Sequence, residues 1–223
     1  MNKSTLALAV SLAALASEAS AAGFIEDSKA SIGLRNFYYD LNTKNTANNN
    51  GEAREWGQGF IFNYASGFTQ GTVGFGVDAI GLLGVKLDSG GRAGKAGRDR
   101  TPGQLFPLDS NGSAVDDYSK AGVTAKLRVS KTEARIGTLQ PKLPVVTFND
   151  GRLLPQTFEG GQITSSEIGG LTLTAGQLES TKTRSSTDDI ALRIAGASGE
   201  ADTNTFYFAG GDWKATKLSL IHI

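Results

Sequence analysis

The sequence contains no cysteine and only one histidine, His222. With no thiol and a single imidazole, neither a disulfide framework nor a Cys/His metal cluster can form. Catalysis that depends on an imidazole base is also excluded before residue 222, and no serine stands beside a lysine or a carboxylate in a recognisable nucleophile motif. We therefore expect no enzymatic activity, with no catalytic residue, no metal ion and no cofactor.

The chain also lacks an excess of charge of either sign, because 22 basic and 22 acidic side chains balance to a formal net charge of zero. A chain without net positive charge has no general electrostatic attraction for nucleic acid, so nucleic acid is not expected as a partner. Beyond the N-terminus no apolar run approaches the roughly 20 residues of a spanning helix. The scarcity of such runs excludes helical membrane spans, but not a β-barrel, which crosses lipid with short alternating strands.

The one long apolar run, at the N-terminus, has the three-part layout of a secretion signal. Lys3 precedes the apolar residues 6–15, and small residues follow around Ala21 and Ala22. This order predicts a signal peptide over residues 1–22 that is cleaved after Ala21 or Ala22. A buried core helix is the alternative interpretation.

After residue 22 the chain alternates between short segments of period two and clusters of Gly, Asn, Asp and Ser, which is typical of an all-β protein. The predicted strands are residues 30–41, 54–66, 72–87, 118–129, 133–140, 162–168, 171–180 and 204–215. Tight turns are predicted at 67–71, 130–132 and 169–170, and long polar connections at 42–52, 88–117 and 184–203. Short turns at one end and long loops at the other favour an antiparallel up-and-down β-barrel of the outer-membrane type.

The faces of a strand follow from its period, because successive side chains point to opposite sides of a sheet. In residues 72–87 every second position, from Val73 to Leu87, is apolar or Gly. A soluble sandwich would bury that face and a membrane barrel would turn it to lipid, and alternation alone leaves both open. Strands of about ten residues or more favour the barrel.

The strand at residues 54–66 has aromatic residues near both ends of one face, as expected of the girdles at two membrane interfaces. They are Trp56, Phe60, Phe62 and Tyr64. The opposite face is small or polar enough for a wet lumen; it carries Glu55, Gly57, Gly59, Ile61 and Asn63.

Two glycine-rich segments match nucleotide-binding motifs only loosely. Residues 74–79 fit a dinucleotide pattern, but the alternation continues to Leu87 where a helix would have to begin. Residues 89–96 place Ser89 and Ala96 where a phosphate loop requires Gly and Ser or Thr. Neither segment predicts nucleotide binding.

A series of segments carries a more specific signal. They are residues 23–28, 34–39, 55–60, 66–87, 117–122, 137–141, 149–157, 165–167 and 206–214, which include Glu-Trp-Gly-Gln-Gly-Phe at 55–60 and Asn-Asp-Gly-Arg-Leu-Leu-Pro-Gln-Thr at 149–157. In this order they closely resemble the porin D (OprD) family. The resemblance implies an eighteen-stranded, monomeric barrel in the gram-negative outer membrane, reached by Sec-type export.

In that family the barrel gives substrate-selective passive diffusion of small hydrophilic solutes such as amino acids and other carboxylate-bearing nutrients. The implied partners are therefore those solutes, the outer-membrane lipid and lipopolysaccharide. A basic cluster of Arg92, Lys95, Arg98 and Arg100 is expected in a solvated extracellular loop or against lipopolysaccharide. A non-transporting surface or adhesion barrel is the alternative function.

The resemblance also implies where the pore narrows, because the third extracellular loop of such porins folds into the lumen. Here it corresponds to residues 141–161, and its candidate constriction residues are Lys142, Asn149, Asp150 and Arg152. A few fixed charges in a narrow pore of low dielectric decide which ion enters. The alternative is that Asn149 only begins a β-turn and Arg152 is a solvated side chain.

Other family members carry a ladder of basic side chains along the lumen wall. Arg35 and Lys86, on the predicted inward faces, are the candidates for it in this chain. Arg128 and Arg135 flank the turn at 130 and are expected at the periplasmic mouth instead.

The resemblance ends at about Lys217. We expect residues 23–217 to be the N-terminal part of the porin domain, about eight of the implied eighteen strands. Residues 218–223 are expected to be a non-native tail, so that His222 has no functional role. A genuine eight-stranded barrel is the alternative.

Overall fold

The computed structural model describes residues 23–42, 52–89, 103–193, 202–215 and 218–222. The predicted signal peptide and the basic cluster around Arg98 lie outside these ranges. Within them no helix is long and apolar enough to cross a membrane. The strands there are β1 Lys29–Asn42, β2 Glu52–Ala65, β3 Val73–Ser89, β4 Asp117–Val129, β5 Thr132–Leu139, β6 Lys142–Leu143, β7 Val146–Thr147, β8 Thr157–Ser165, β9 Leu171–Lys182, β10 Asp189–Arg193, β11 Asp202–Thr203, β12 Phe206–Ala215 and β13 Leu218–His222.

The long strands form one antiparallel sheet in which neighbours in the chain are neighbours in space. Its order is β1-β2-β3-β4-β5-β8-β9-β12-β13, and β10 pairs with the end of β9 beyond the part that pairs with β12. In the described ranges β1 pairs only with β2, and β13 only with β12, so the sheet is open between these edges. The predicted fold class, an antiparallel up-and-down barrel present in part, is confirmed.

The exposure of β3 shows which face of the sheet turns outward. Val73, Phe75, Leu83 and Leu87 are 39–49% exposed, whereas the intervening Leu82 is 3% exposed. A sandwich would have buried the apolar row that is exposed here. The outer surface is therefore the apolar, lipid-type face of a barrel wall, and the inner face carries the site.

The two ends of the sheet differ as predicted. One end, called the short-turn end, has the connections 66–72, 130–131 and 166–170, and the other, called the long-loop end, has the connections 43–51, 90–116, 140–156 and 183–188. Strands β1 to β4 are 13 to 17 residues long. Such lengths suit tilted strands that cross a bilayer.

Strand β8 differs from its prediction, because it begins at Thr157 and not at 162. A β-bulge between Glu159 and Gly160 shifts its register against β9. The extra residue of this bulge, Glu179, lies in β9; the start of β8 was missed because Gly160 and Gly161 have no side chains that could show the period of two. The predicted loop 141–161 therefore ends at 156, and residues 166–168 belong to a turn.

Two other segments contain strands that the sequence pattern did not predict. The polar connection 184–203 includes β10 and β11, which pair with each other. Residues Leu218–His222 form β13 and pair with Gly211–Ala215 of β12. That backbone pairing leaves the non-native origin of residues 218–223 a prediction.

Candidate pore constriction

The connection 140–156 between β5 and β8, called the third loop, folds against the inner face of the sheet. Leu153 and Leu154 in its second half are both fully buried. They pack with Leu82 of β3, Tyr118 of β4 and the segment that ends the connection before β4; the buried residues of this cluster are Leu82, Leu105, Phe106, Ala114, Tyr118, Leu153 and Leu154. Burial of this many apolar side chains holds the loop to the wall.

Glycines on the inner face of β2 and β3 make room for this contact. A Cβ atom at Gly57 would lie 2.8 Å from Leu153 Cδ2, and one at Gly84 would lie 3.1 Å from the same atom. Both distances are shorter than carbon atoms tolerate without displacement. The expectation that Gly57 and Gly59 face a wet lumen is therefore wrong: both are buried, because the third loop covers them.

The first half of the third loop is a small hairpin, β6 and β7, attached to the wall by a second apolar cluster. Lys142 in this hairpin is exposed, and its Nζ lies 5.3 Å from the centroid of the Phe148 ring. Leu143, Val146 and Phe148 of the loop pack against the buried wall residues Leu139, Phe158, Leu178, Leu192 and Phe208. The loop is thus anchored at both halves, which limits its movement in the lumen.

Arg35 of β1 reaches the third loop and binds it at three points. Its Nη1 donates to Asp150 Oδ1 at 2.7 Å and its Nη2 to Asp150 Oδ2 at 3.1 Å. Nη1 also donates to the carbonyl oxygen of Arg152 at 2.8 Å. The bidentate geometry fixes orientation as well as distance, so Arg35 sets the position of the loop relative to the first strand.

Asn149 shapes the turn that presents Asp150. Its side-chain oxygen accepts from the Gly151 N–H at 3.0 Å, and its carbonyl oxygen accepts from the Gln156 N–H at 2.9 Å. Short polar side chains favour such turns because they bond their own backbone two residues on. In the structure Asn149 therefore has the turn role, whereas Asp150 and the Arg152 backbone make the contact with the wall.

Two guanidinium groups meet at this part of the loop. The Arg152 guanidinium carbon lies 4.3 Å from the centroid of the Tyr39 ring. Burial lowers the pKa of the Arg184 guanidinium, and the charge of neighbouring Arg152 lowers it further. Neither arginine forms a salt bridge with a carboxylate in the part of the chain that the structure describes. Because arginine remains protonated at neutral pH, the pair carries uncompensated positive charge.

Lys86 and Arg128, two further basic residues singled out from the sequence, have other partners than the third loop. Lys86 Nζ lies 2.7 Å from Asp116 Oδ1 and donates to the Ala114 carbonyl at 2.8 Å. The hydrogen bond and charge of Lys86 lower the pKa of the Asp116 carboxyl. The Arg128 guanidinium carbon lies 4.1 Å from the Phe68 ring centroid, at the short-turn end.

Arg135 borders a polar cavity on the inner face toward the short-turn end. The cavity has a volume of about 900 Å³ and its polar lining includes Asn63, Asp78, Thr124, Arg135 and Gln140. Asp78 Oδ1 lies 2.6 Å from Lys126 Nζ, and Asp78 Oδ2 lies 3.8 Å from Arg135 Nη1. The wall beyond the loop therefore carries charges of both signs, mostly paired with each other.

Three residues of the site were not predicted from the sequence. Lys120 Nζ donates to the carbonyl oxygens of Pro155 and Thr183, both at 2.8 Å, and so ties the return of the third loop to the connection after β9. The Tyr118 hydroxyl lies 2.9 Å from the Arg184 carbonyl oxygen. Strand alternation places Tyr118 and Lys120 on the face of β4 opposite to Ala121, Val123 and Leu127, which could have indicated that they face inward. No sequence signal places Arg184 beside the loop.

The comparisons with known proteins agree with this geometry. A family model described as outer membrane porin, OprD family, matches residues 22–222. The porin-like protein GalP of Pseudomonas putida is 43% identical over 212 residues, which cover 94% of this chain and 48% of that protein. The chain therefore spans about half the length of the curated relatives it matches.

Two crystal structures of Pseudomonas aeruginosa proteins are similar. OccK8 (OprE) is 58% identical with a TM-score of 0.75, and the match covers 87% of this chain and 45% of that chain. OpdK with vanillate is 40% identical with a TM-score of 0.76, and the match covers 87% of this chain and 47% of that chain. The chain belongs to the OprD family of outer membrane porins, a family of the gram-negative outer membrane.

Proposed function

We propose that the protein gives substrate-selective passive diffusion of small hydrophilic solutes that carry a carboxylate, amino acids among them. The observation that supports this most is that Arg152 and Arg184 both lie at the loop against the lumen wall: Arg184 Nη1 is 3.6 Å from the place of a Cβ atom on Gly151, the residue before Arg152. Positive charge without a carboxylate partner in the described residues attracts an anionic group. In a narrow pore, where little water screens it, that attraction decides which solute enters.

Selectivity requires that these charges keep their positions. Arg35 holds the loop at Asp150, Lys120 holds it at Pro155, and Leu153 is packed into the glycine-lined wall. A rigid third loop keeps the Arg152 guanidinium group in one position relative to Arg184, so each passing solute meets the same arrangement of charge. In a mobile loop the charges would change position from one passage to the next, and the preference for one kind of solute would be weaker.

A carboxylate is the chemical group that fits best. Guanidinium groups bind carboxylates through planar, charge-assisted hydrogen bonds, and Tyr39 beside Arg152 provides an apolar ring against which a small solute can lie. The related OpdK structure was determined with vanillate, which is a carboxylate. Diffusion must remain possible, so the binding at any one point is weak.

The test is solute uptake by liposomes that contain the complete porin. Galacturonate and galactose share a sugar ring and differ in the carboxylate, so their swelling rates separate charge from size. We expect faster uptake of galacturonate. Equal rates would contradict the proposed carboxylate preference. An absence of swelling and of conductance steps would favour a non-transporting surface barrel.

A further inference from the structure

Glu55 of β2 is a fully buried carboxylate on the inner face of the sheet. It accepts three backbone hydrogen bonds from consecutive residues: from the Gly103 N–H at 3.1 Å, the Gln104 N–H at 2.6 Å and the Leu105 N–H at 2.7 Å. Burying a carboxylate is costly unless hydrogen bonds satisfy it. Consecutive N–H groups that converge on one anion form a nest, and here the nest satisfies Glu55.

The three residues that donate to Glu55 belong to the segment 103–116, the last part of the connection between β3 and β4. Leu105, the last residue of the nest, and Phe106 after it are fully buried in the same cluster as Leu153 and Leu154 of the third loop. The Phe106 ring contacts Tyr118 edge-on, with centroids 5.9 Å apart. The segment is thus a second inward-folded element, and the apolar part of the third loop packs against it.

We infer that Glu55 is a positioning residue of the constriction. Its carboxylate fixes the backbone at Gly103–Leu105, this fixes Leu105 and Phe106, and their packing holds Leu153 and Leu154 and therefore Arg152 next to them. Glu55 has no contact with the lumen, because it is 0% exposed. Its effect on permeation is entirely through the two loops. The consequence for permeation rests on the proposed channel function, whereas the positioning of the loop does not.

The substitution Glu55→Gln tests this chain of contacts. An amide of the same size has one acceptor oxygen, so at least one of the three hydrogen bonds is lost and the NH₂ group is turned toward an N–H donor; the charge that strengthens the remaining bonds is also removed. Glu133→Gln is the matched control, because it removes the same charge from a residue of β5 near the short-turn end that pairs with Arg135 and has no contact with the third loop. Glu55→Asp keeps the charge but shortens the reach, and serves if the glutamine variant does not fold.

Amide hydrogen exchange of the complete porin in detergent measures directly how often the hydrogen bonds of the third loop open. The informative amide is Gln156, which donates to the Asn149 carbonyl at 2.9 Å within the third loop and has no bond to Glu55. We expect faster exchange in the peptide that covers 149–157 for the Glu55 variants, and unchanged exchange for Glu133→Gln. Planar-bilayer recordings of the same proteins should show greater open-channel current noise for the Glu55 variants only.

Faster exchange confined to residues 103–106, with 149–157 and current noise as in the wild type, would overturn the inference. If the wild-type porin forms no channel, the proposed function fails, while the exchange at 149–157 still decides the positioning role of Glu55.

Discussion

Asp150 in the third loop and Arg35 in β1 are joined by two hydrogen bonds of 2.7 and 3.1 Å, although 115 positions separate them in the chain. The contact links the first wall strand directly to the loop that lies against the lumen wall. The Arg35 side chain is 27% exposed and that of Asp150 is 45% exposed. Water therefore screens the pair, and its importance lies in geometry more than in stability.

Removal of this contact should loosen the loop without unfolding the protein. For Asp150→Asn we expect a stability loss of at most about 1 kcal/mol in urea unfolding, because the pair is partly solvated. Open-channel current noise in planar bilayers should rise. Asp40→Asn is the control, since it breaks an ion pair with Arg54 that does not touch the third loop. Equal noise in both variants would argue against a positional role for Asp150.

The close packing of Leu153 against Gly57 gives a prediction about stability. In Gly57→Ala the new Cβ would lie 2.6 Å from Phe106 Cζ and 2.8 Å from Leu153 Cδ2, so both of these fully buried side chains must shift. Overpacking of this kind costs roughly 1–3 kcal/mol. Gly81→Ala is the control on the outer face, because its nearest contact would be an ordinary 3.7 Å.

Urea unfolding and single-channel conductance measure the two effects of Gly57→Ala. We expect lower stability and an altered conductance for this variant, and wild-type values for Gly81→Ala. Wild-type behaviour of both would mean that the third loop does not rest on Gly57 in the folded protein.

The sequence predicted the wall better than the site, for physical reasons. Period-two alternation assigned the faces of β3 correctly, because a strand's local geometry alone decides which side each residue faces. The same alternation could not show that Gly57 lies beneath Leu153, since that contact joins distant segments of the chain. The start of β8 was missed because Gly160 and Gly161 near it show no alternation of apolar and polar side chains.

The candidate constriction residues differ in the same way between what is local and what is not. The inward position of Arg35 followed from its strand, but its partner Asp150 did not. Glu55 was placed on the inner face, yet nothing local indicates that the N–H groups of Gly103–Leu105 converge on it. Lys142 was grouped with Arg152 by the resemblance alone, and the structure gives it a contact with Phe148 instead.

Glu167 joins two neighbouring connections at the short-turn end and should make stability depend on acidity. Its carboxylate accepts from the Lys131 N–H at 2.7 Å, the Ser130 hydroxyl at 3.0 Å and the Thr132 hydroxyl at 3.1 Å. The backbone hydrogen bond from Lys131 is the main cause that lowers the pKa of the Glu167 carboxyl below its ordinary value. Ser130 has a left-handed backbone conformation, with a φ of 52°. Its hydrogen bond to Glu167 helps to hold it in that conformation.

Because the folded pKa of Glu167 is lowered, its contribution is complete above the unfolded value of about 4.3 and is lost as pH falls through the folded pKa. We expect Glu167→Gln to be less stable than the wild type at pH 7, with the difference vanishing as pH falls well below 4.3. Urea unfolding at several pH values measures it. A difference that does not change with pH would exclude the carboxylate as its source.

The charge of the constriction is tested most directly by removing both guanidinium groups. In the complete porin, Arg152→Gln together with Arg184→Gln leaves the contact of Arg35 with Asp150 in place and takes away the attraction for anions. If each solute passage gains about 1.4 kcal/mol from that attraction, galacturonate uptake should fall about tenfold while galactose uptake changes little. The reversal potential across a potassium chloride gradient should shift toward the equilibrium potential of potassium. Unchanged galacturonate uptake and an unchanged reversal potential would contradict a carboxylate-selective constriction built on Arg152 and Arg184.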